Sequence, residues 1–178
     1  MARLRRLVRA RGEAGYTMVE LLAVMAILMT VLTALTGLFV SGAKAEIELN
    51  RRFEAQQAAR VAADRLRREV HCSSGVTLTN AATITVTLPA HCPTAGGAVT
   101  NVVYASEPVS SGRYRLRRAG IEIADHLTSG EVFSYVAPSS DGLGKLHLSF
   151  LVNVNPSEGW KSWRLETDVV LRNTTRTD

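Results

Sequence analysis

The sequence predicts an α+β fold in which one long N-terminal helix, transmembrane over its first half, packs on an antiparallel β-sheet domain. Three observations predict it. Leu21 to Ala43 is a run of 23 residues without a charge. No proline interrupts Tyr16 to His71, and the later part of that segment carries apolar residues at spacings of three and four. Beyond it the period drops to two, in short alternating runs separated by turn residues with no helical run between them.

As a helix rising ~1.5 Å per residue, the uncharged run is ~35 Å long, enough to cross a hydrocarbon core of ~30 Å. From Lys44 the pattern becomes amphipathic. Ala55, Ala59, Ala62, Leu66 and Val70 form one apolar stripe, with Ile47 and Phe53 just upstream. Arg51, Arg52, Glu54, Arg60, Asp64, Arg65, Arg67, Arg68 and Glu69 are expected on the other faces, as a solvated surface, with a coiled-coil or partner surface as the alternative. The reading is one helix over 16–71, roughly 84 Å long by the same rise. Ser73-Ser74-Gly75 ends it, since glycine just past a periodic run suits a C-terminal cap.

In the second half, Thr83 to Leu88 alternates strictly, with Ile84, Val86 and Leu88 on one face. Val99–Ala105, Tyr114–Arg118 and Val132–Val136 read as further strands, and Leu146–Val154 carries its even-numbered residues as an apolar face. Trp163, Leu165, Thr167, Val169 and Leu171 make another such face. Turn signals stand at Pro89, Gly96-Gly97, Ser110-Ser111-Gly112, Asp141-Gly142 and Asn155-Pro156. Frequent turns between short strands imply an antiparallel sheet whose apolar face the helix covers.

The chain divides into a basic leader over 1–15, a transmembrane half-helix over 16–43 and an outward-facing globular part over 44–178. About 130 residues for that last part suit a single domain. The net charge of +5 belongs mostly to the leader. Without residues 1–15, Lys+Arg falls from 21 to 16 and Asp+Glu from 16 to 15, leaving +1. The leader's Arg3, Arg5, Arg6, Arg9 and Arg11 therefore read as the positive-inside signal that keeps the N-terminus in the cytoplasm, and not as a nucleic-acid footprint.

Gly15 followed by Tyr16-Thr17-Met18-Val19-Glu20-Leu21-Leu22, behind a basic leader and ahead of an apolar helix, resembles the processing site of type IV prepilins and type II secretion pseudopilins. The resemblance implies a pilin-like fold and cleavage between Gly15 and Tyr16. It implies methylation of the new amine on Tyr16 by the same membrane peptidase, and a role for Glu20 as the family's glutamate, five residues into the mature chain. The partners it implies are that prepilin peptidase/methylase, other pilin or pseudopilin subunits, the inner-membrane assembly platform and membrane lipid. Two departures stand out: phenylalanine is usual where this chain has Tyr16, and many members carry a helix-kinking proline where this chain has Gly37.

Physical chemistry gives that motif a mechanism. Cleavage after Gly15 creates an α-amine of reference pKa ~7.7–8, largely cationic at neutral pH, and methylation leaves it protonatable. An isolated carboxylate inside lipid costs roughly 2.5–3.5 kcal/mol on insertion scales, so Glu20 calls for a partner. In a bundle of such helices, the amine of one subunit can meet Glu20 of its neighbour, a pairing that fixes register more than it adds stability. Glu20 also lies in the first turns of the mature helix, where the dipole favours negative charge.

A competing site is Ala43-Lys44-Ala45, which has the A-x-A look of ordinary signal-peptidase cleavage and would release a soluble chain beginning at Glu46. An ordinary signal's apolar region is ~7–15 residues, however, and this one is 23. A membrane-anchored binding module that never assembles is the other rival.

A second, looser resemblance lies in the globular part. Val102-Val103-Tyr104, Tyr114 to Arg118, Val132 to Tyr135 and the helix-end run Asp64 to Val70 are similar to the pattern of J-type minor pseudopilins and W-type minor pilins. It implies a subunit that starts or caps a short filament.

Cys72 and Cys92 are the two cysteines, each preceded by a histidine, His71 and His91. In an exported domain such a pair reads as a disulfide closing a loop of about 20 residues, which contributes ~3 kcal/mol in the chain-entropy model. Free thiols and a Cys₂His₂ zinc site are the alternatives, the latter without the usual ligand spacing. Arg113, Arg115 and Arg117 alternate on one strand face with Arg118 beside them. They could meet DNA phosphates or another anionic polymer if the filament served DNA uptake, but the mature charge of +1 favours a solvated strand face. Asn173-Thr174-Thr175 fits the N-x-[ST] pattern. No Gly-x-Ser-x-Gly elbow or Gly-rich phosphate loop is present, so a structural subunit is expected, without enzymatic activity, cofactor or metal.

Overall fold

The computed structural model describes residues 16–139, 142–155 and 158–172. It has the expected α+β, pilin-like architecture: helix α1 (Met18–Cys72) followed by an antiparallel, curled sheet of eight strands among the described residues. These are β1 (Gly75–Asn80), β2 (Thr83–Leu88), β3 (Thr100–Ser110), β4 (Arg113–Arg118), β5 (Ile121–Leu127), β6 (Phe133–Val136), β7 (Lys145–Val152) and β8 (Trp163–Val170). A 3-10 turn, Gly159–Lys161, leads into β8. By contact the chain forms two compact units that meet at Ile47 and Glu48.

In the unit from Glu48 onward, the order β1-β2-β3-β4-β5-β7-β6 follows the hydrogen-bonded neighbours, and β8 pairs with β7 along its whole length, from Lys145↔Val170 to Val152↔Trp163. The core is the helix stripe laid on the inner sheet face. Ala55, Ala59, Ala62, Leu66 and Val70 are all buried, as their spacing predicts, with Ala63 added. They meet Ile84, Val86 and Leu88 of β2, Tyr104 of β3, and Leu146, Leu148, Phe150 and Val152 of β7. Alanines on the helix let the backbone approach the sheet, and the bulk comes from the strands.

Some expectations need correcting. Ile47 and Phe53 do not extend the stripe; they are 54% and 67% exposed, because their offsets from Ala55 turn them to other helix faces. Glu69 is not on the solvated face. It is 2% exposed, beside Leu66 and Val70, and the core supplies partners for it. β3 runs on to Ser110, past the expected end at Ala105, with Pro108 opposite Tyr114. β1 and β5 were not anticipated. β1 offers only Val76 and Leu78 as an apolar alternation. In β5 the alternation is broken by register shifts opposite Tyr114, Leu116 and Arg117, so that Ala124 and Leu127 are buried while Ile121 is exposed. Gly15 and the leader, Asp141, Pro156 and Asn173-Thr174-Thr175 lie outside the described residues.

Candidate functional site

The head of α1 is built by local capping. The Glu20 amide donates to Thr17 Oγ1 at 3.2 Å, and the Leu21 amide donates to Thr17 O at 3.1 Å. Thr17 is thus the N-cap and Glu20 stands at the third helical position, the arrangement of a capping box. The sequence holds this signal as Thr17-x-x-Glu20, which a reading centred on the glycine-to-glutamate spacing misses. Tyr16 lies just ahead of the cap and is 79% exposed.

The residues that follow form an uncovered apolar rod. From Met18 to Val40 the large apolar side chains are exposed by between 45% (Leu35) and 82% (Met18). The threonines within it leave no hydroxyl hydrogen unmet. Thr30 donates to Ile27 O at 2.8 Å, Thr33 to Met29 O at 2.7 Å and Thr36 to Leu32 O at 2.8 Å. A segment whose backbone and hydroxyl donors are satisfied within one helix is suited to a medium that offers no hydrogen bonds. α1 is long and apolar enough to cross a membrane. Gly37 is accommodated inside the helix with nothing within 4 Å of where a Cβ would stand.

Cys72 and Cys92 are joined in a disulfide, which ties the end of α1 to the loop after β2. Of the two neighbouring histidines, His71 turns its Nδ1 to Val170 O at 3.0 Å, and the exposed His91 stands within 4.8 Å of both sulfurs. Oxidised sulfurs offer no thiolate ligands, so the cystine and a Cys₂His₂ site exclude each other.

The basic stripe is on the sheet, and each of its arginines faces a carboxylate. Arg113 Nε donates to Asp125 Oδ1 at 3.2 Å and its Nη2 also pairs with that carboxylate; Arg115 reaches Glu122 at 3.4 Å, and Arg117 reaches Glu107 at 3.2 Å. Against the cost of burial, the Arg113 guanidinium and the His126 amide hold the Asp125 carboxyl below its ordinary range. The stripe is therefore an ion-pair ladder across β3, β4 and β5, with its positive charge matched strand by strand. Arg118 turns the other way, into the core, where Nη2 meets Glu69 Oε1 at 2.8 Å.

Two constellations were not legible in the sequence. Glu69, Tyr104 and Arg118 come from the helix, β3 and β4 and form a buried polar triad. Arg60 and Trp163, 103 residues apart, meet with the guanidinium carbon 5.2 Å from the ring centroid.

Residues 10–36 match the family described as the prokaryotic N-terminal methylation motif. No curated protein and no solved structure matches the chain. At the head of its one long helix, with Thr17 and Glu20 as the cap and an apolar rod behind them, the chain carries the prokaryotic N-terminal methylation motif typical of type IV pilins and pseudopilins.

Proposed function

We propose that this protein is a minor type IV pilin or type II secretion pseudopilin. In this reading a prepilin peptidase cuts after Gly15 and methylates the Tyr16 amine. α1 then anchors the mature subunit in the cytoplasmic membrane with its N-terminus inside, and the globular part faces outward. Subunits leave the bilayer by bundling their apolar rods, each Tyr16 amine meeting Glu20 of a neighbour.

The observation that carries this reading is the motif match over 10–36 on a helix whose apolar surface nothing in the described chain covers. Lipid covers that surface in a stored subunit, and other copies of the helix cover it in a filament. The rival site at Ala43-Lys44-Ala45 finds no support in the backbone, since those residues lie inside the unbroken helix Met18–Cys72. The strand pattern similar to J-type and W-type subunits favours a minor place in the filament.

The N-terminal residue of the purified mature chain tests the reading. Methylated Tyr16 is expected; an intact Met1 would leave a static anchor, and Glu46 would mean ordinary secretion. Assembly is tested by Glu20→Ala, expected to be inserted and cleaved as usual and yet missing from sheared filaments. Normal incorporation of that variant would remove the assembly role of Glu20.

A further inference from the structure

β8 closes one side of the sheet, and its backbone is only half used. The Leu171 amide donates to Gly144 O at 2.8 Å, continuing the register in which Val170 faces Lys145. The odd-numbered residues of β8 therefore turn their N–H and C=O groups toward β7, and Arg164, Glu166, Asp168 and Val170 turn theirs outward. The β7 side agrees, because the Ser149 amide donates away from β8, to Val132 O at 3.0 Å. At one end the outward row is closed, where His71 Nδ1 meets Val170 O. For the backbone of Arg164, Glu166 and Asp168 there is no partner among the described residues. A row of unpaired strand groups is a template for another strand.

Beside this edge lies a groove of about 430 Å³ between the helix residues Arg60, Ala63, Asp64 and Arg67 and the strand residues Trp163, Leu165 and Thr167, with Glu166 at its rim. Its lining carries Arg60 and Arg67 against Asp64 and Glu166, and because Glu166 is paired with Arg164 the groove keeps one positive charge in excess over Asp64. Arg60 lies over Trp163, and Arg67 Nη2 donates to Thr167 Oγ1 at 3.4 Å. Neither has a carboxylate within 4.0 Å among the described residues, Asp64 included, while the Glu166 carboxylate is taken by Arg164 at 3.2 Å. The Arg60 guanidinium lies over the indole face with the Arg67 fork one groove length away, and two guanidinium forks facing a groove select carboxylates. The spacing is set on both sides: Arg60 and Arg67 are seven helical residues apart, ~10 Å, and their contacts Trp163 and Thr167 are four strand residues apart, ~13 Å.

We propose that the edge of β8 and this groove form a docking site for an extended acidic segment of a partner polypeptide. The segment adds to the sheet along Arg164–Asp168, and its groove-facing side carries two carboxylates four residues apart, one at Arg60 and one at Arg67, with an apolar residue between them over Leu165. Main-chain pairing supplies affinity and the alternating side chains supply the choice of partner. This site is separate from the apolar rod of α1 and stands whether or not the chain assembles through it.

The test uses the full chain in detergent micelles and a labelled peptide, Thr-Glu-Thr-Val-Thr-Glu-Thr. Saturable binding is expected, with slowed amide exchange at Arg164, Glu166 and Asp168. Changing both peptide glutamates to glutamine, or making the double variant Arg60→Gln and Arg67→Gln, should weaken binding by about tenfold or more. Glu166→Pro removes one outward N–H, a change that an edge strand tolerates, and should abolish binding with the thermal midpoint nearly kept. Equal binding of the glutamate and glutamine peptides, protection at another strand edge, or no saturable binding would overturn the proposal.

Discussion

The Tyr104 hydroxyl donates to Glu69 Oε2 at 2.7 Å, in a core where Tyr104 is fully buried and Glu69 is 2% exposed. Arg118 completes the arrangement, with Nε donating to both Glu69 oxygens at 3.0 and 3.1 Å and Nη2 at 2.8 Å from Oε1. A charge inside a core is tolerable only when paired and hydrogen-bonded. Arg118→Ala should therefore lower stability by as much as ~3–5 kcal/mol, because it takes the closest cation from the buried Glu69 carboxylate and leaves it only Arg65, whose Nε is 3.6 Å from Oε1. Tyr104→Phe removes one hydrogen bond to a charged group and should cost ~1.5–3 kcal/mol. Denaturant midpoints of the two variants check both values, and the double variant should show non-additivity, since the residues share Glu69.

The same triad gives an alkaline limit. Burial and the Glu69 carboxylate push the Tyr104 hydroxyl well above its ordinary value. The protonated form is thus favoured in the folded state, and its contribution is complete below the unfolded tyrosine value of ~10. Stability should fall as pH rises above that point, as unfolded chains lose the proton first. Tyr104→Phe should flatten this part of the profile, which thermal midpoints between neutral and alkaline pH will read.

An acid limit comes from His126. It has a positive φ of 62°, and its Nδ1 is buried without a hydrogen-bond partner among the described residues. Burial first, and then the nearby Arg113 guanidinium, hold its imidazole below the ordinary histidine value. The neutral ring is favoured on folding, so its contribution is present above ~6.5 and declines as pH falls below it. His126→Asn, a residue that accepts the left-handed backbone, should remove that decline while keeping the fold. An unchanged slope between pH 7 and 5 would contradict this assignment.

The disulfide Cys72–Cys92 spans a sequence separation of 20 and joins the helix end to the sheet. Reduction, or the double change to serine, should lower stability by ~3 kcal/mol in the chain-entropy model. Urea midpoints with and without a dithiol reductant will measure it.

Gly130 serves packing. A Cβ there would stand 2.8 Å from Tyr114 Cε1, so Gly130→Ala should cost ~1–3 kcal/mol as the ring is displaced. Gly130→Ala with Tyr114→Leu should recover part of the loss.

What could be read ahead of the structure was whatever repeats along the chain. The stripe Ala55, Ala59, Ala62, Leu66 and Val70 and the alternation of Ile84, Val86 and Leu88 are local periodicities, and each is buried as its spacing demands. The head of the helix was legible for the same reason, because Gly15, Tyr16, Glu20 and the uncharged run are neighbours in sequence. β5 failed that test, since a bulge near His126 shifts its inward set from the even position Ala124 to the odd position Leu127 within four residues.

The sequence alone determined that this chain has a long helix with a membrane-compatible head, an antiparallel sheet beneath its later part, and a carboxylate in the first turns of that helix. Tertiary structure decided which charges lie inside. Glu69 reads as one more acid in a charged run, and only the approach of β3 and β4 turns it into a buried partner for Tyr104 and Arg118. Likewise the stripe Arg113, Arg115 and Arg117 becomes an ion-pair ladder, and Arg60 finds Trp163, because strand register brings together residues that no local period relates. Hydrophobic spacing is written along the chain, whereas the pairing of charges depends on distances that exist only after folding.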